Sequence, residues 1–267
     1  MSTPATTPGA RPDGAVDEQS SAAAVQAMFD TIAPRYDLLN HILSCNVDRF
    51  WWWRAARTFR HILAQPHSRA LDICCGTGDM TMALLRRRPA PTPSVTVEPI
   101  LAADFSHQML LRGAQKFAAH RANVIPIEAD ALHLPLSDSS LQLITSAFGF
   151  RNIANYRAAL QEFFRVLAPG GELGILDFSE PTGLTGKLYA FYFRRILPAI
   201  GARISGMGSA YKYLPSSVHR FPPPQEMLTL MRSVGFTSVS WTPYTFGIAG
   251  LYRAVKPAAS STPSGLT

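Results

Sequence analysis

The stretch Leu71-Asp72-Ile73-Cys74-Cys75-Gly76-Thr77-Gly78-Asp79 leads from an apolar run into a glycine-bearing turn and leaves on an acid placed to open a helix. That order builds a nucleotide-type cofactor site, because the glycines let the backbone approach a ligand closely. A dinucleotide fingerprint would need a third glycine where this chain has Thr81, and a helix N-terminus free to hold a pyrophosphate. Asp79 places a carboxylate in that first turn, where it suits the helix dipole and competes with a phosphate. A phosphate-free ligand fits better. S-adenosylmethionine is one: it carries a sulfonium, an amino-acid end and a ribose, so nearby acids attract it. The plainer alternative is a glycine turn that only joins a buried strand to a helix.

Two more acids follow at matching places. Ile100-Leu101-Ala102-Ala103-Asp104 reads as a short buried strand ending on a carboxylate that can accept from two ribose hydroxyls. A helix from Ser106 follows, with Met109, Leu110 and Ala114 on one face. The separation of Asp104 from Gly78 exceeds the usual spacing, and Pro89-Ala90-Pro91-Thr92-Pro93 reads as the loop insertion that absorbs the excess. Val124 to Ala131 is a third strand, ending on Asp130, and Leu141 to Gly149 is a fourth. Taken singly, each acid could be a helix cap. Together they put polar groups at the C-terminal ends of successive strands, where open α/β sheets bind ligands.

The elements that must position these residues are legible in outline. Ala22 to Ala33 and Asp48 to Leu63 have helical periodicity and precede the first strand, as a cap over the cofactor site would. Arg69 to Cys74 is that strand, and Asp79 to Arg88 its helix. Tyr156 to Leu167 is a later helix capped by Asn155. Pro169-Gly170-Gly171 is a turn before a fifth strand, Glu172 to Phe178. Leu184 to Leu197 reads as a helix, and the helix Gln225 to Val234 starts after a proline run and stops at Gly235. Thr237 to Thr245 and Ile248 to Val255 form a closing antiparallel hairpin. Five parallel strands followed by such a hairpin make the α/β, Rossmann-like, seven-stranded arrangement of class I S-adenosylmethionine-dependent methyltransferases, here with an N-terminal helical cap. Residues 1–20 are expected to be a disordered N-terminal segment, 21–256 the domain with its cap, and 257–267 a disordered tail.

Composition bounds the alternatives. The chain has 267 residues, 47% of them hydrophobic, enough for a substantial core. The formal charge of +7 is spread along the chain, with Arg86-Arg87-Arg88 its one run. No clustering with interleaved aromatics suggests nucleic acid, whereas attraction to anionic lipid is compatible with the charge. Cys45, Cys74 and Cys75 show no zinc spacing and suggest a reduced cytoplasm. No metal is expected. No segment reads as a signal peptide or a span. Trp51-Trp52-Trp53 cannot all face one side of a helix, so at least one is expected to be exposed or at an interface.

Four segments carry a closer likeness. Phe29 to Asn40, which includes Ala33-Pro34-Arg35-Tyr36-Asp37, the Cys75 to Asp79 turn, Phe148-Gly149-Phe150-Arg151-Asn152-Ile153 and Tyr211 to Ser217 resemble the demethylmenaquinone and ubiquinone C-methyltransferase family, over about residues 25 to 256. The Cys-Cys-Gly-Thr-Gly and Tyr-Asp-Leu-Leu-Asn forms look more like the menaquinone branch.

The resemblance implies S-adenosyl-L-methionine held by Gly76, Thr77, Gly78, Asp104, Asp130, Ala131 and Ala147. Gly76 and Gly78 would admit the methionine end, Asp104 the ribose, and Asp130 the adenine amino group, with Ala131 beside the ring. Some members have a serine where Ala147 stands. It also implies methyl transfer to a ring carbon of a polyprenyl hydroquinone, most simply demethylmenaquinol to menaquinol, with a ubiquinone-pathway benzoquinol as the alternative. A phenol with a pKa near about 10 is protonated at neutral pH, so its loss of a proton needs help. Arg151 and Asn152 suit stabilisation of the phenolate; an arginine stays protonated and is not the base. Tyr36 and Asp37 join the catalytic set, with Asp37 as base directly or through water, and His219 is the other candidate. Leu184, Leu188, Phe191, Tyr192 and Leu197, beside Arg194 and Arg195, would line a tail channel or rest on a membrane. The expected setting is cytoplasmic, with peripheral contact at the inner membrane face and room for an oligomer. A different small-molecule methyltransferase would share the cofactor half, a binding subunit would not need Thr77, Asp104 and Asp130, and a dehydrogenase is disfavoured by Thr81 and Asp79.

Overall fold

In the computed structural model, which describes residues 9–12, 15–33, 46–181 and 216–258, the chain enters through α1 (Glu18–Ile32), α2 (Val47–Thr58) and α3 (Arg60–Leu63) before reaching β1 (Ala70–Ile73). It then alternates through α4 (Asp79–Leu85), β2 (Ile100–Asp104), α5 (His107–Ala119), β3 (Val124–Glu128), β4 (Leu141–Ala147), α6 (Tyr156–Val166) and β5 (Leu167–Phe178). It closes on α7 (Pro224–Val234), β6 (Thr237–Tyr244) and β7 (Ala249–Val255).

The strands form one seven-stranded sheet in the order β3-β2-β1-β4-β5-β7-β6, parallel throughout except for β7, which runs antiparallel to both its neighbours. After β3 the chain returns to the other side of β1. That reversal opens a crevice beyond the C-terminal ends of β1 and β4. β1 is buried along its whole length, as an apolar strand covered on both faces must be. One face is packed by α6 and α7 through Tyr156, Phe163, Met227 and Met231, the other by α2 and α4 through Trp51, Met80 and Leu84. Pro126 and Pro243 fall in the two edge strands, where a missing N–H costs least.

The structure adjusts several boundaries. α1 begins at Glu18, ahead of Ala22: Asp17 caps it by accepting from the Ser20 amide at 2.7 Å, while the Ser20 hydroxyl accepts from the Asp17 amide. A cap of this kind is worth about 1 kcal/mol. Ahead of it, the Ala10 amide donates to the Ile153 carbonyl at 2.8 Å. The helix expected over Asp48 to Leu63 is divided at Phe59, whose ring sits under β5 where Gly174 leaves space; a Cβ at that glycine would come within 2.4 Å of it. α4 stops at Leu85, so the arginine run follows the helix. Pro169-Gly170-Gly171 is a bulge inside β5, which pairs Leu167 with Leu141 and resumes at Glu172 with Leu143. The expected helix Leu184 to Leu197 lies outside the described residues, as do residues 259–267 of the tail.

Candidate active site

Three residues of the turn after β1 adopt left-handed backbone: Cys74 (φ 55°), Gly76 (φ 57°) and Gly78 (φ 85°). The cysteine bears that conformation at a cost of about 1–3 kcal/mol. Gly78 caps α4, and a Cβ there would lie 2.3 Å from the Phe117 ring. Thr81, in the slot a dinucleotide site gives to glycine, donates instead to Asp72 Oδ2 at 2.6 Å. The Thr145 hydroxyl of β4 donates to Asp72 Oδ1 at 2.8 Å. Asp72 is fully buried beneath the turn, and burial raises its carboxyl to about 7 against the pull of both hydroxyls.

The acid ending β2 is bound to the turn. Asp104 Oδ2 accepts from the Gly76 amide at 2.7 Å and Oδ1 from the Ser106 amide at 2.8 Å. Burial raises this carboxyl to about 6, although the Ser106 and Gly76 amides favour its charged form. Each oxygen keeps a further lone pair for a ligand hydroxyl. Asp130, after β3, accepts from the Leu132 amide at 2.9 Å through Oδ1, and its Oδ2 lies 3.5 Å from His133 Nδ1.

Asp104 and Asp130 line one open cleft, whose space, with the open solvent at its mouth, amounts to about 800 Å³. Cys74 and Gly76 form its floor, Asp104, Phe105 and Ser106 one wall, and Ala129, Asp130, Ala131 and Leu132 the next. Ala147, Phe148, Gly149 and Asn152 close the far side. Gly149 is required there, since a Cβ would stand 2.3 Å from Cys74 Cβ.

α1 roofs the cleft with Ala22, Val25, Gln26 and Phe29. Near its C-terminal end, Asp30 Oδ1 accepts from the Ser106 hydroxyl at 2.6 Å and from the Gln108 amide at 3.2 Å, at the start of α5. Gln26 donates to the Phe105 carbonyl at 2.8 Å. At the other end, Asn155 donates to Glu18 Oε1 at 2.9 Å and Arg11 to the Ala154 carbonyl at 3.0 Å. The roof is therefore tied to the exits of both β2 and β4.

Of the residues singled out from sequence, Gly76, Asp104, Asp130, Ala131, Ala147 and Asn152 line the cleft, whereas Thr77, Gly78 and Arg151 do not. Thr77 is buried, its Oγ1 3.4 Å from Lys116 Nζ. Arg151, expected at the reacting centre, lies behind the cleft wall in a buried ion pair with Asp177 at 2.9 Å. Its own amide also donates to Asp177, its Nε donates to Ser217 at 3.3 Å, and Nη1 donates to the Phe148 carbonyl. The physical reason is Asp177: a carboxylate with no exposure needs a cation, and among the described residues Arg151 is the one paired with it. His219 stands at the surface, 3.1 Å from Glu180, and outside the cleft lining. Tyr36 and Asp37 lie outside the described residues, as do the tail-channel residues Leu184, Leu188, Phe191, Tyr192, Arg194, Arg195 and Leu197.

Sequence reasoning missed Asp30, Asp72 and Asp177. Asp30 had a signal: an acid near a helix C-terminus opposes the dipole, so it needs a partner elsewhere. It finds one at the positive end of α5.

Comparison with known proteins follows the same lines. The model of the ubiE/COQ5 methyltransferase family matches residues 16–256. A demethylmenaquinone methyltransferase from Deinococcus radiodurans is 46% identical over 237 residues, 88% of this chain and 94% of that protein. One of the same name from Thermus thermophilus is 43% identical over 231 residues, 86% of this chain and all of that protein. In fold, the chain is similar to the crystal structure of a SAM-dependent methyltransferase from Thermotoga maritima, with a TM-score of 0.59 at 18% identity, over 87% of this chain and 99% of that one.

Proposed function

The chain belongs to the ubiE/COQ5 methyltransferase family, and from that premise we propose that it transfers the methyl group of S-adenosylmethionine to a ring carbon of a polyprenyl hydroquinone, converting demethylmenaquinol to menaquinol. The observation that carries this reading is the roofed cleft that holds the carboxylates of Asp104 and Asp130 at strand ends. Its donor and acceptor set fits the cofactor: Asp104 for ribose hydroxyls, Asp130 for the adenine amino group, and Ala129, Ala131 and Leu132 as apolar wall beside the base.

When bound, S-adenosylmethionine supplies an electrophilic methyl on a sulfonium. The chain's own residues do the remainder. Gly76 opens the floor, and α1 covers the cleft with Ala22, Val25, Gln26 and Phe29. Asn152, in the far wall, would donate to a quinol oxygen and so favour its phenolate. Arg151 acts one layer back, holding the Phe148 to Asn152 segment against Asp177. The base in this reading is Asp37, with Tyr36 beside it, because His219 stands outside the cleft lining.

The membrane enters the same reading. A polyprenyl quinol resides in a bilayer, and among the described residues no helix is long and apolar enough to cross one. The protein would meet its substrate from the cytoplasmic surface. The test is a comparison of kcat/KM for reduced demethylmenaquinone and for a ubiquinone-pathway benzoquinol, each with S-adenosylmethionine. Preference for the naphthoquinol supports the proposal, preference for the benzoquinol transfers the chain to the other branch, and turnover of neither overturns it.

A further inference from the structure

Every exposed residue of α2 is an arginine or an aromatic: Arg49, Phe50, Trp53 and Arg57, continued by Arg60 at the start of α3. Positions 49, 50, 53, 57 and 60 recur at helical spacing, so they form one stripe. Phe50 and Trp53 are 51% and 43% exposed, their rings stacked 5.9 Å apart. Arg57 and Arg87 lie over the Trp53 ring at 5.4 and 5.6 Å, and Arg86 is exposed beside them in sequence. The helix's one acid, Asp48, is buried. Among the described residues, no carboxylate is within ion-pair distance of Arg49, Arg57, Arg60, Arg86 or Arg87.

We propose that this arginine-aromatic face of α2 docks on an anionic phospholipid surface. A stacked phenylalanine and tryptophan ringed by guanidinium groups that have no carboxylate partner among the described residues has the two parts such a surface requires: apolar area for the headgroup boundary and positive charge for lipid phosphates. The inner side of the same helix points to why. Trp51 is buried, with its ring 5.7 Å from that of Phe148, which lines the cleft, and 6.0 Å from that of Phe178. Its Nε1 donates to Thr245 Oγ1 at 2.7 Å, beside Phe246, which is 82% exposed on left-handed backbone (φ 57°). The outward face thus stands one helix diameter, about 10 Å, from the cleft wall. Choice of a membrane over another anionic surface rests on the quinol reading; the docking itself does not.

The test is co-sedimentation of the full-length protein with vesicles of phosphatidylcholine alone or with added phosphatidylglycerol, at low and high salt. Binding is expected on the anionic vesicles, weakening with salt and falling about fivefold for each of Arg57→Gln and Arg60→Gln. The pair Phe50→Ala with Trp53→Ala should abolish it, with circular dichroism and S-adenosylmethionine affinity retained. The same pair should lower methylation of a long-tailed quinol in vesicles and spare a tail-less one in solution. Equal vesicle binding by the variant and the parent overturns the proposal. So does a preference for single-stranded RNA, or self-association that the double variant abolishes. Vesicle binding needs no turnover, so inactivity towards quinols with intact binding would refute the function and leave the docking standing.

Discussion

The Gly76 amide donates to Asp104 Oδ2 at 2.7 Å, which makes the turn after β1 and the acid that ends β2 a single unit. Neither could shift without the other. The floor and one wall of the cleft are therefore set by one carboxylate whose second oxygen holds the start of α5 through Ser106.

Replacing that carboxylate should cost cofactor binding beyond the loss of a ribose contact. Asp104→Asn keeps the shape and removes the charge-assisted bonds, each worth about 1.5–3 kcal/mol. Calorimetric titration should give S-adenosylmethionine affinity at least about tenfold weaker. The parent should also bind more tightly as pH rises from about 5 to about 7, because the Asp104 carboxyl, raised to about 6 by burial, becomes a full acceptor in that interval. The Asp104→Asn variant should lack that dependence.

The roof predicts a separate effect. Asp30→Ala removes the acceptor for the Ser106 hydroxyl and the Gln108 amide, so α1 should open more often while the sheet is unchanged. Hydrogen exchange in residues 18–32 should accelerate, S-adenosylmethionine affinity should fall about fivefold for about 1 kcal/mol lost, and the melting temperature should move little. Unchanged exchange would show that the roof is held elsewhere.

Arg151→Ala should damage the fold as well as turnover. It strands the fully buried Asp177, a loss of about 3–5 kcal/mol, and releases Ser217. Arg151→Ala paired with Asp177→Asn should recover part of the melting temperature lost by the single change. No recovery would mean that the arginine's stabilising partner is not this carboxylate.

Asp72 gives a pH prediction of definite sign. Its carboxyl is raised from the ordinary range to about 7 by burial between β1, α4 and β4. The folded state therefore binds the proton more tightly than the unfolded chain does. Its contribution is fully present below pH about 4, declines as pH rises, and is lost once pH passes about 7. Denaturant unfolding at about pH 5 and about pH 8 should find the protein less stable at the higher pH through this group, and Asp72→Asn should flatten the difference.

Much of this arrangement was legible in the sequence because it is local. Apolar runs ending on Asp104 and Asp130, the left-handed glycines and the Asn155 cap need only neighbours a few residues away. The pairings that fix the site are not local. Asp72 with Thr145 and Asp177 with Arg151 join residues far apart in the chain, and no periodicity marks which buried acid meets which partner. Arg151 illustrates the result: its type and place suggested charge stabilisation at the reacting centre, and Asp177 draws it behind the wall. The division at Phe59 likewise depends on space left by Gly174, on a strand the helix pattern cannot see.

The most direct test of the whole account is the fate of the methyl group. Purified protein incubated with methyl-labelled S-adenosylmethionine and chemically reduced demethylmenaquinone, with the oxidised quinone in parallel, should place the label on the ring carbon in the reduced sample alone, as read by product mass and fragmentation. Label on oxygen, equal labelling of the oxidised quinone, or no transfer to any quinol by a protein that binds S-adenosylmethionine would contradict it.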